Sequence, residues 1–224
     1  MVSQGLRDGR MLTLYTTPLS ANGRKVLAVS HHLGLKPEVR LVNVYRGDGR
    51  SAEYLKINPS GKIPTLADGA FILYESNAIL QYLSEAHGGY RLWSREPRER
   101  AAIARWLFWE AAHWQPVLTA VLSSFVGHRL VPEVVPPPLA DVHWDNEQLR
   151  PLLQTLEMSL GGHPFLSGDT VTIADFSIAG MMTYFRAAKF PFHKTPHLGD
   201  WYARMNALDA WRSTETPLWS ESAL

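Results

Sequence analysis

The chain contains no cysteine. That absence removes disulfides, thiolate metal sites and a cysteine nucleophile together. Any sulfur chemistry must then use a thiol carried in by a ligand. Charge of one sign is also missing: 22 Lys and Arg stand against 21 Asp and Glu, a formal net charge of +1. With no basic excess to neutralise phosphates, a nucleic-acid partner is not expected. No apolar run approaches the ~18 residues of a membrane-spanning helix, so no membrane partner is expected either. Residues 1–10, MVSQGLRDGR, lack the apolar centre of a secretory signal. They read as a mobile tail, and the cytoplasm is the default location. The nine histidines form no cluster at ligand spacing, so no metal is expected.

What is present is ordinary globular composition, with 46% hydrophobic and 19% charged residues in 224. That length suits one large domain or two small ones. Residues 12–17 read as a strand ended by Pro18, and Ser20 precedes a helical run that stops at Gly34. A second strand is expected over 39–44, a short helix near 54–57, and two strands, 63–67 and 70–74, around an Asp68-Gly69 turn. A helix over 76–86 completes a β-α-β-α-β-β-α order, an α/β domain with a small mixed sheet. Beyond Arg91 helical patterns dominate, at 97–127, 141–160, 172–188 and 196–208, with Pro151 expected to kink the second. Thr172 and Asp175 form a capping-box variant with Val171 and Phe176 at the staple positions, a signal for folding rather than chemistry. The expected division is a tail at 1–10, a first domain at 11–90, a linker at 91–98 and an all-helical domain at 99–224.

The segment 58–77, NPSGKIPTLADGAFILYESN, carries the most chemistry. Pro64 sits between a turn and a strand, a position that suits a cis X-Pro corner. Such a corner turns the backbone N–H and C=O of Ile63 outward, free to pair with an extended ligand as an added strand would. Ser76 opens a helix, whose unpaired N–H groups and positive dipole end favour a carboxylate. Glu75 beside it suits an ammonium. A small peptide with one extended backbone and an α-amino acid head fits both halves, and glutathione is such a peptide.

In LYTTPLSANGRKV (14–26), NPSGKIPTL (58–66), YESNAIL (74–80) and FLSGDTVTIADF (165–176), in that order and spacing, the chain resembles the cytosolic glutathione S-transferase family from about residue 11 onward. The resemblance implies a thioredoxin-like N-terminal domain that binds glutathione as co-substrate and an all-α C-terminal domain. It also implies a homodimer with an electrophile pocket between the two domains. In the tyrosine classes the thiol-activating residue lies two positions before the first-strand proline, which here is Thr16. In the serine classes it lies two after, which is Ser20, and the SANGRKV run looks most like theta-like and bacterial enzymes, in which Asn22 also touches the sulfur. Lys62 would meet the glycine carboxylate, Ile63 would pair through its backbone beside Pro64, and Glu75 and Ser76 would hold the γ-glutamyl head. Asn77 departs from the Arg often found at that position.

The chemistry asked of Ser20 is modest. A thiol has a pKa of about 8.5, and lowering it by about two units takes roughly 2.7 kcal/mol. A hydroxyl donated to a charged sulfur supplies about 1.5–3 kcal/mol, and a helix N-terminus adds about 0.3–1 kcal/mol. Ser20 is therefore a hydrogen-bond donor rather than a nucleophile, although a plain N-cap explains the same residue by pattern alone. Ser76 has the same plain alternative, and Lys62 that of a solvated turn lysine. In RWLFWEAAHWQPV (105–117), Trp106, Glu110, His113, Trp114 and Val117 share a helical face that suits core packing or dimer contact. From this stretch Trp109, His113 and Trp114 are candidates for an apolar electrophile pocket. The expected activity is attack of glutathione thiolate on an apolar electrophile or a hydroperoxide, with conjugation, peroxide reduction and disulfide reduction all open. The alternative is a non-catalytic ligand-carrier or interaction module that keeps the fold.

Overall fold

The computed structural model describes residues 11–216, so the sequence expectations for 1–10 and for the end of the chain lie outside the described residues. Four strands, β1 (Leu12–Thr16), β2 (Glu38–Leu41), β3 (Thr65–Asp68) and β4 (Phe71–Tyr74), form one mixed sheet in the order β2-β1-β3-β4. β1 runs parallel to β2 and antiparallel to β3, which pairs antiparallel with β4. The connection between the parallel strands is α1 (Ala21–His32), as a parallel pair requires. α2 (Ala52–Ile57) precedes β3, and α3 (Ser76–Ala86) follows β4. The β3–β4 hairpin pairs Asp68 with Phe71, so its two-residue loop is Gly69-Ala70, one position later than the sequence suggests.

The second half is helical: α4 (Pro97–Trp109), a π turn (Glu110–Trp114), α5 (Gln115–Val121), α6 (Ser123–Leu130), α7 (Leu149–Leu160), α8 (Ile173–Met181), α9 (Pro196–Ala207) and α10 (Asp209–Arg212). This is a thioredoxin-like sheet domain joined to an all-α domain. The expected long helix at 97–127 is broken for a local reason. Pro116 has no N–H to return to the preceding turn, and the chain widens just before it. Pro151 does not kink its helix. The helix begins only at Leu149, so Pro151 lies in the first turn, where N–H groups have no intrahelical acceptor to lose. The capping box at Thr172 forms: Thr172 Oγ1 accepts from the Ala174 N–H, and the Thr172 N–H donates to Asp175 Oδ2 at 2.8 Å. Asp175 also accepts from the Leu166 N–H and the Trp201 indole, both at 2.9 Å.

One apolar core runs through both halves. α1 and α3 cover the sheet with Val26, Val29, Ile79, Leu80 and Leu83, all fully buried, and α1 packs against α8 on its other side. α10 folds back onto α1, where the Arg24 guanidinium lies 4.1 Å over the Trp211 ring and donates to Thr214. Burial lowers the Arg24 pKa to about 10. This packing fixes the first turn of α1 at the seam between the two halves.

Candidate functional site

Ser20 caps α1: its Oγ accepts from the Gly23 N–H at 3.0 Å, in the extended conformation an N-cap adopts. One of its two lone pairs is used there, and the hydroxyl proton is left to donate elsewhere. Ser20 and Asn22 both line a cleft of about 470 Å³ between the sheet domain and α5, α6 and α8. That volume is in the range of small-molecule sites. Thr16 is buried on β1, and its hydroxyl donates to the Thr17 carbonyl at 3.5 Å; it does not line the cleft.

The turn at 58–64 forms the floor on the sheet side. Buried Asn58 donates to the Lys62 carbonyl and to Thr65 Oγ1, both at 2.9 Å, and accepts from the Ser60 N–H and hydroxyl. Tyr54 adds a hydroxyl donated to the Lys62 carbonyl at 2.6 Å. These bonds hold the loop from behind and leave the exposed Lys62 side chain on the cleft face. The Ile63-Pro64 bond is cis. Among the described residues the Ile63 N–H and C=O make no backbone hydrogen bond. The loop is also clasped by a neighbour. A Cβ on Gly49 would stand 2.3 Å from the Gly61 carbonyl oxygen, and one on Gly61 2.6 Å from that of Gly49. Only two glycines allow that approach, and Gly61 additionally has a positive φ of 66°.

Glu75 is exposed and precedes α3 with φ 69°, a rare conformation for a residue other than glycine. Ser76 is buried, and its hydroxyl donates to Asn22 Oδ1 at 3.4 Å. α1 and α3 therefore meet with their N-termini together; Ser20 and Asn22 line the cleft, whereas Glu75 and Ser76 lie beside it and are not part of its lining. Behind them lies a polar cluster that sequence reasoning missed. Lys25 and Glu110 have no exposed surface, and Lys25 Nζ lies 3.2 Å from Glu110 Oε1. Lys25 also donates to Asn77 Oδ1 (3.0 Å) and Ser177 Oγ (3.4 Å). Asn77 Nδ2 donates to Glu110 Oε2 and the Leu107 carbonyl, both at 2.9 Å, and Asn77 Oδ1 accepts from Ser177 at 2.8 Å. Burial lowers the Lys25 pKa, and the adjacent Glu110 charge opposes that shift. The two charges are 85 residues apart, so no local spacing announces them.

The helical wall is built from Leu118, Thr119, Leu122, Ser123, Val126 and Met181, with Tyr45 and Val44 from the loop after β2. The three aromatics proposed from the sequence are not among them. Trp114 is fully buried, stacked on Trp109 at 5.9 Å and donating its indole N–H to the Ile178 carbonyl at 3.3 Å. Trp109 is half-buried against Trp106, and His113 is exposed. The π turn explains the miss: its extra residue re-aims the chain, so the cleft is met one and two turns later, by Leu118 and Leu122. Partial desolvation raises the Tyr45 phenol pKa, although the residue as a whole keeps 44% of its surface exposed. A second cleft, of about 510 Å³ between Trp144, Leu153 and Phe190, holds none of the residues singled out by sequence. Among the described residues no group of three His, Asp or Glu could hold a metal ion, and no helix is long and apolar enough to cross a membrane.

Comparison with known proteins places this geometry in a context. Residues 14–91 match the family model of the glutathione S-transferase N-terminal domain, and residues 100–204 that of the C-terminal domain. Glutathione S-transferase F10 of Arabidopsis thaliana is 29% identical over 207 residues, covering 90% of this chain and 95% of the relative. Among solved structures, an epsilon-class glutathione S-transferase of the housefly, Musca domestica, superposes with a TM-score of 0.80 at 25% identity, over 95% of each chain. A glutathione transferase of Bombyx mori, BmGSTD1, gives 0.80 at 26% identity, over 95% of this chain and 94% of that one.

Proposed function

The chain belongs to the glutathione S-transferase family and is a glutathione transferase, and from that premise we propose how its cleft activates and holds the thiol. The observation that carries the reading is Ser20: its Oγ accepts the Gly23 N–H at the α1 N-terminus, it lines the cleft, and its hydroxyl proton is free to donate to a bound sulfur. Donated to sulfur, that proton and the dipole end of α1 favour thiolate over thiol without a general base. Asn22 stands in the same turn as a second polar neighbour. Lys62 takes the glycine carboxylate as a point charge, and Ile63 pairs with the cysteinyl backbone at the cis Pro64 corner. Glu75 receives the ammonium of the γ-glutamyl head, and the Ser76 hydroxyl and N–H receive its carboxylate. The serine-type assignment rests on this arrangement and on the position of Thr16 outside the cleft.

The thiolate then attacks an electrophile lying against Leu118, Leu122, Val126 and Met181. That apolar wall supports an apolar co-substrate, and conjugation is the reaction we propose first, with hydroperoxide reduction as the second use of the same thiolate. The Ser20→Ala variant is expected to lower kcat/KM by roughly 10- to 150-fold, the equivalent of a 1.5–3 kcal/mol hydrogen bond to charge. Bound glutathione should lose its thiolate absorbance at the same time. Full retention of both would sink the role of Ser20.

A homodimer belongs to the same reading. Phe71, Ile72 and Tyr74 on the edge strand β4 and Phe108 on α4 are exposed at 37–73%, and an apolar sheet edge invites a partner. Sedimentation at micromolar concentration should give twice the 25.2 kDa chain mass; a single-chain mass would refute it. A cytoplasmic location, where glutathione is kept reduced, is proposed with it, and cell fractionation tests that placement.

A further inference from the structure

Within that glutathione reading, we propose that Lys25 and Glu110 are positioning residues for the γ-glutamyl head, so that the helical domain sets half of the site carried by the sheet domain. The argument starts from how fully the cluster is used. Lys25 has three N–H donors and three acceptors: Asn77 Oδ1, Glu110 Oε1 and Ser177 Oγ. Asn77 uses both amide hydrogens, on Glu110 and Leu107, and its oxygen accepts twice, from Lys25 and Ser177. The amide cannot be turned over, because its NH2 would then face the ammonium and its oxygen the carboxylate. Asn77 is thus fixed in position and in orientation.

Asn77 directly follows the two residues that meet the head. Glu75 keeps a positive φ, a conformation that lasts only where its surroundings impose it. On the ligand side one bond spans α1 and α3, from Ser76 to Asn22 at 3.4 Å. Beneath it the Lys25–Asn77 bond, at 3.0 Å, spans the same two helices one turn deeper. Lys25 lies on the helix that carries Ser20 and Asn22, so the cluster sets the spacing between thiol donor and head anchor. Glu110 comes from the π turn of the helical domain, and Ser177 from α8. Gly180 on α8 provides the room, since a Cβ there would lie 3.1 Å from Lys25 Cδ and 3.2 Å from the Ala21 carbonyl oxygen. For stability alone a buried ion pair is replaceable by apolar groups of similar volume. Fixing Asn77 is what an apolar pair could not do.

The test measures KM for glutathione, kcat, KM for chlorodinitrobenzene and thermal midpoint in wild type, Lys25→Met, Glu110→Gln and the double variant Lys25→Met/Glu110→Met. The single variants should raise KM for glutathione about tenfold, the scale of one lost charged hydrogen bond, and leave KM for chlorodinitrobenzene unchanged. In the double variant the thermal midpoint should return toward wild type while KM for glutathione stays raised. A double variant that restores both would reduce the pair to a structural role and overturn the proposal. If the single variants do not fold, Ser177→Ala, which removes one donor from Asn77, should raise KM for glutathione two- to threefold (about one neutral hydrogen bond). An unchanged value there overturns it equally. Calorimetry on the wild type separates this proposal from its premise. No glutathione binding by the wild type would sink both, whereas normal binding by wild type and all variants would sink only the role of Lys25 and Glu110.

Discussion

The two walls of the cleft are made by different means. On the sheet side the groups assigned to glutathione in the proposed reading are largely main chain: the N–H and C=O of Ile63, which make no backbone hydrogen bond among the described residues, and the N-termini of α1 and α3. On the helical side the lining is side chains, with Leu118, Leu122, Val126 and Met181 presenting apolar surface and Thr119 and Ser123 a little polarity. Main-chain groups are positioned by folding and resist substitution, whereas an apolar wall changes with every methyl group. On the proposed reading, then, the reagent site is fixed by backbone geometry, and the choice of target is left to side chains.

Three substitutions would break or sharpen that contrast. The largest effect is expected from Gly49→Ala. Its Cβ would fall 2.3 Å from the Gly61 carbonyl oxygen, forcing the Lys62–Ile63 turn out of place. KM for glutathione should rise by about tenfold or more, as for a lost charged contact, with KM for the electrophile little changed; steady-state kinetics with each substrate varied would show it. A smaller effect should come from Val126→Ala on the opposite wall. Losing two methyl groups in an apolar pocket should raise KM for an apolar electrophile by roughly tenfold and leave KM for glutathione alone. Parallel shifts in both constants would show that the walls are not independent. The smallest belongs to Ile63→Val, which keeps the backbone and trims one methylene at a half-buried position. kcat/KM for glutathione should stay within about twofold, and a larger loss would mean that the Ile63 side chain itself contacts the ligand.

How much of this was legible follows the same division. Ser20, the 58–64 turn, the Glu75–Ser76 helix start and the Thr172 capping box were readable because each is a local device. A capping side chain, a glycine, a proline or an Asx residue acts within three or four positions of itself. The β-α-β-α-β-β-α succession followed from elements of that kind in sequence, whereas the strand order within the sheet came from the structure. The helical wall was not readable, because whether a ring meets core or cleft depends on a π turn caused by one proline. The pattern at 105–117 gave the buried face correctly for Trp106, Glu110 and Trp114, yet the cleft lay beyond it. Pro151 misled because a proline signals a kink or a start, and only the missing turn before Leu149 tells which. Lys25 and Glu110 could not be paired at all: the pattern put Glu110 on the buried face of its helix but named no partner for it, and the meeting with Lys25, 85 residues away, is a product of domain docking.

The way Ser20 is held has a consequence for turnover. Its oxygen accepts from the Gly23 N–H, and a neutral hydroxyl is a very weak base, so on the proposed reading it lends its own proton to sulfur and does not take one away. On that reading the proton released when glutathione ionises leaves with solvent, and the protein finishes each cycle in the protonation state in which it began. No group on the chain needs recharging before the next molecule binds. The ionisation that precedes attack is then that of the bound thiol itself, a property of the reagent in its cradle rather than of a general base on the chain.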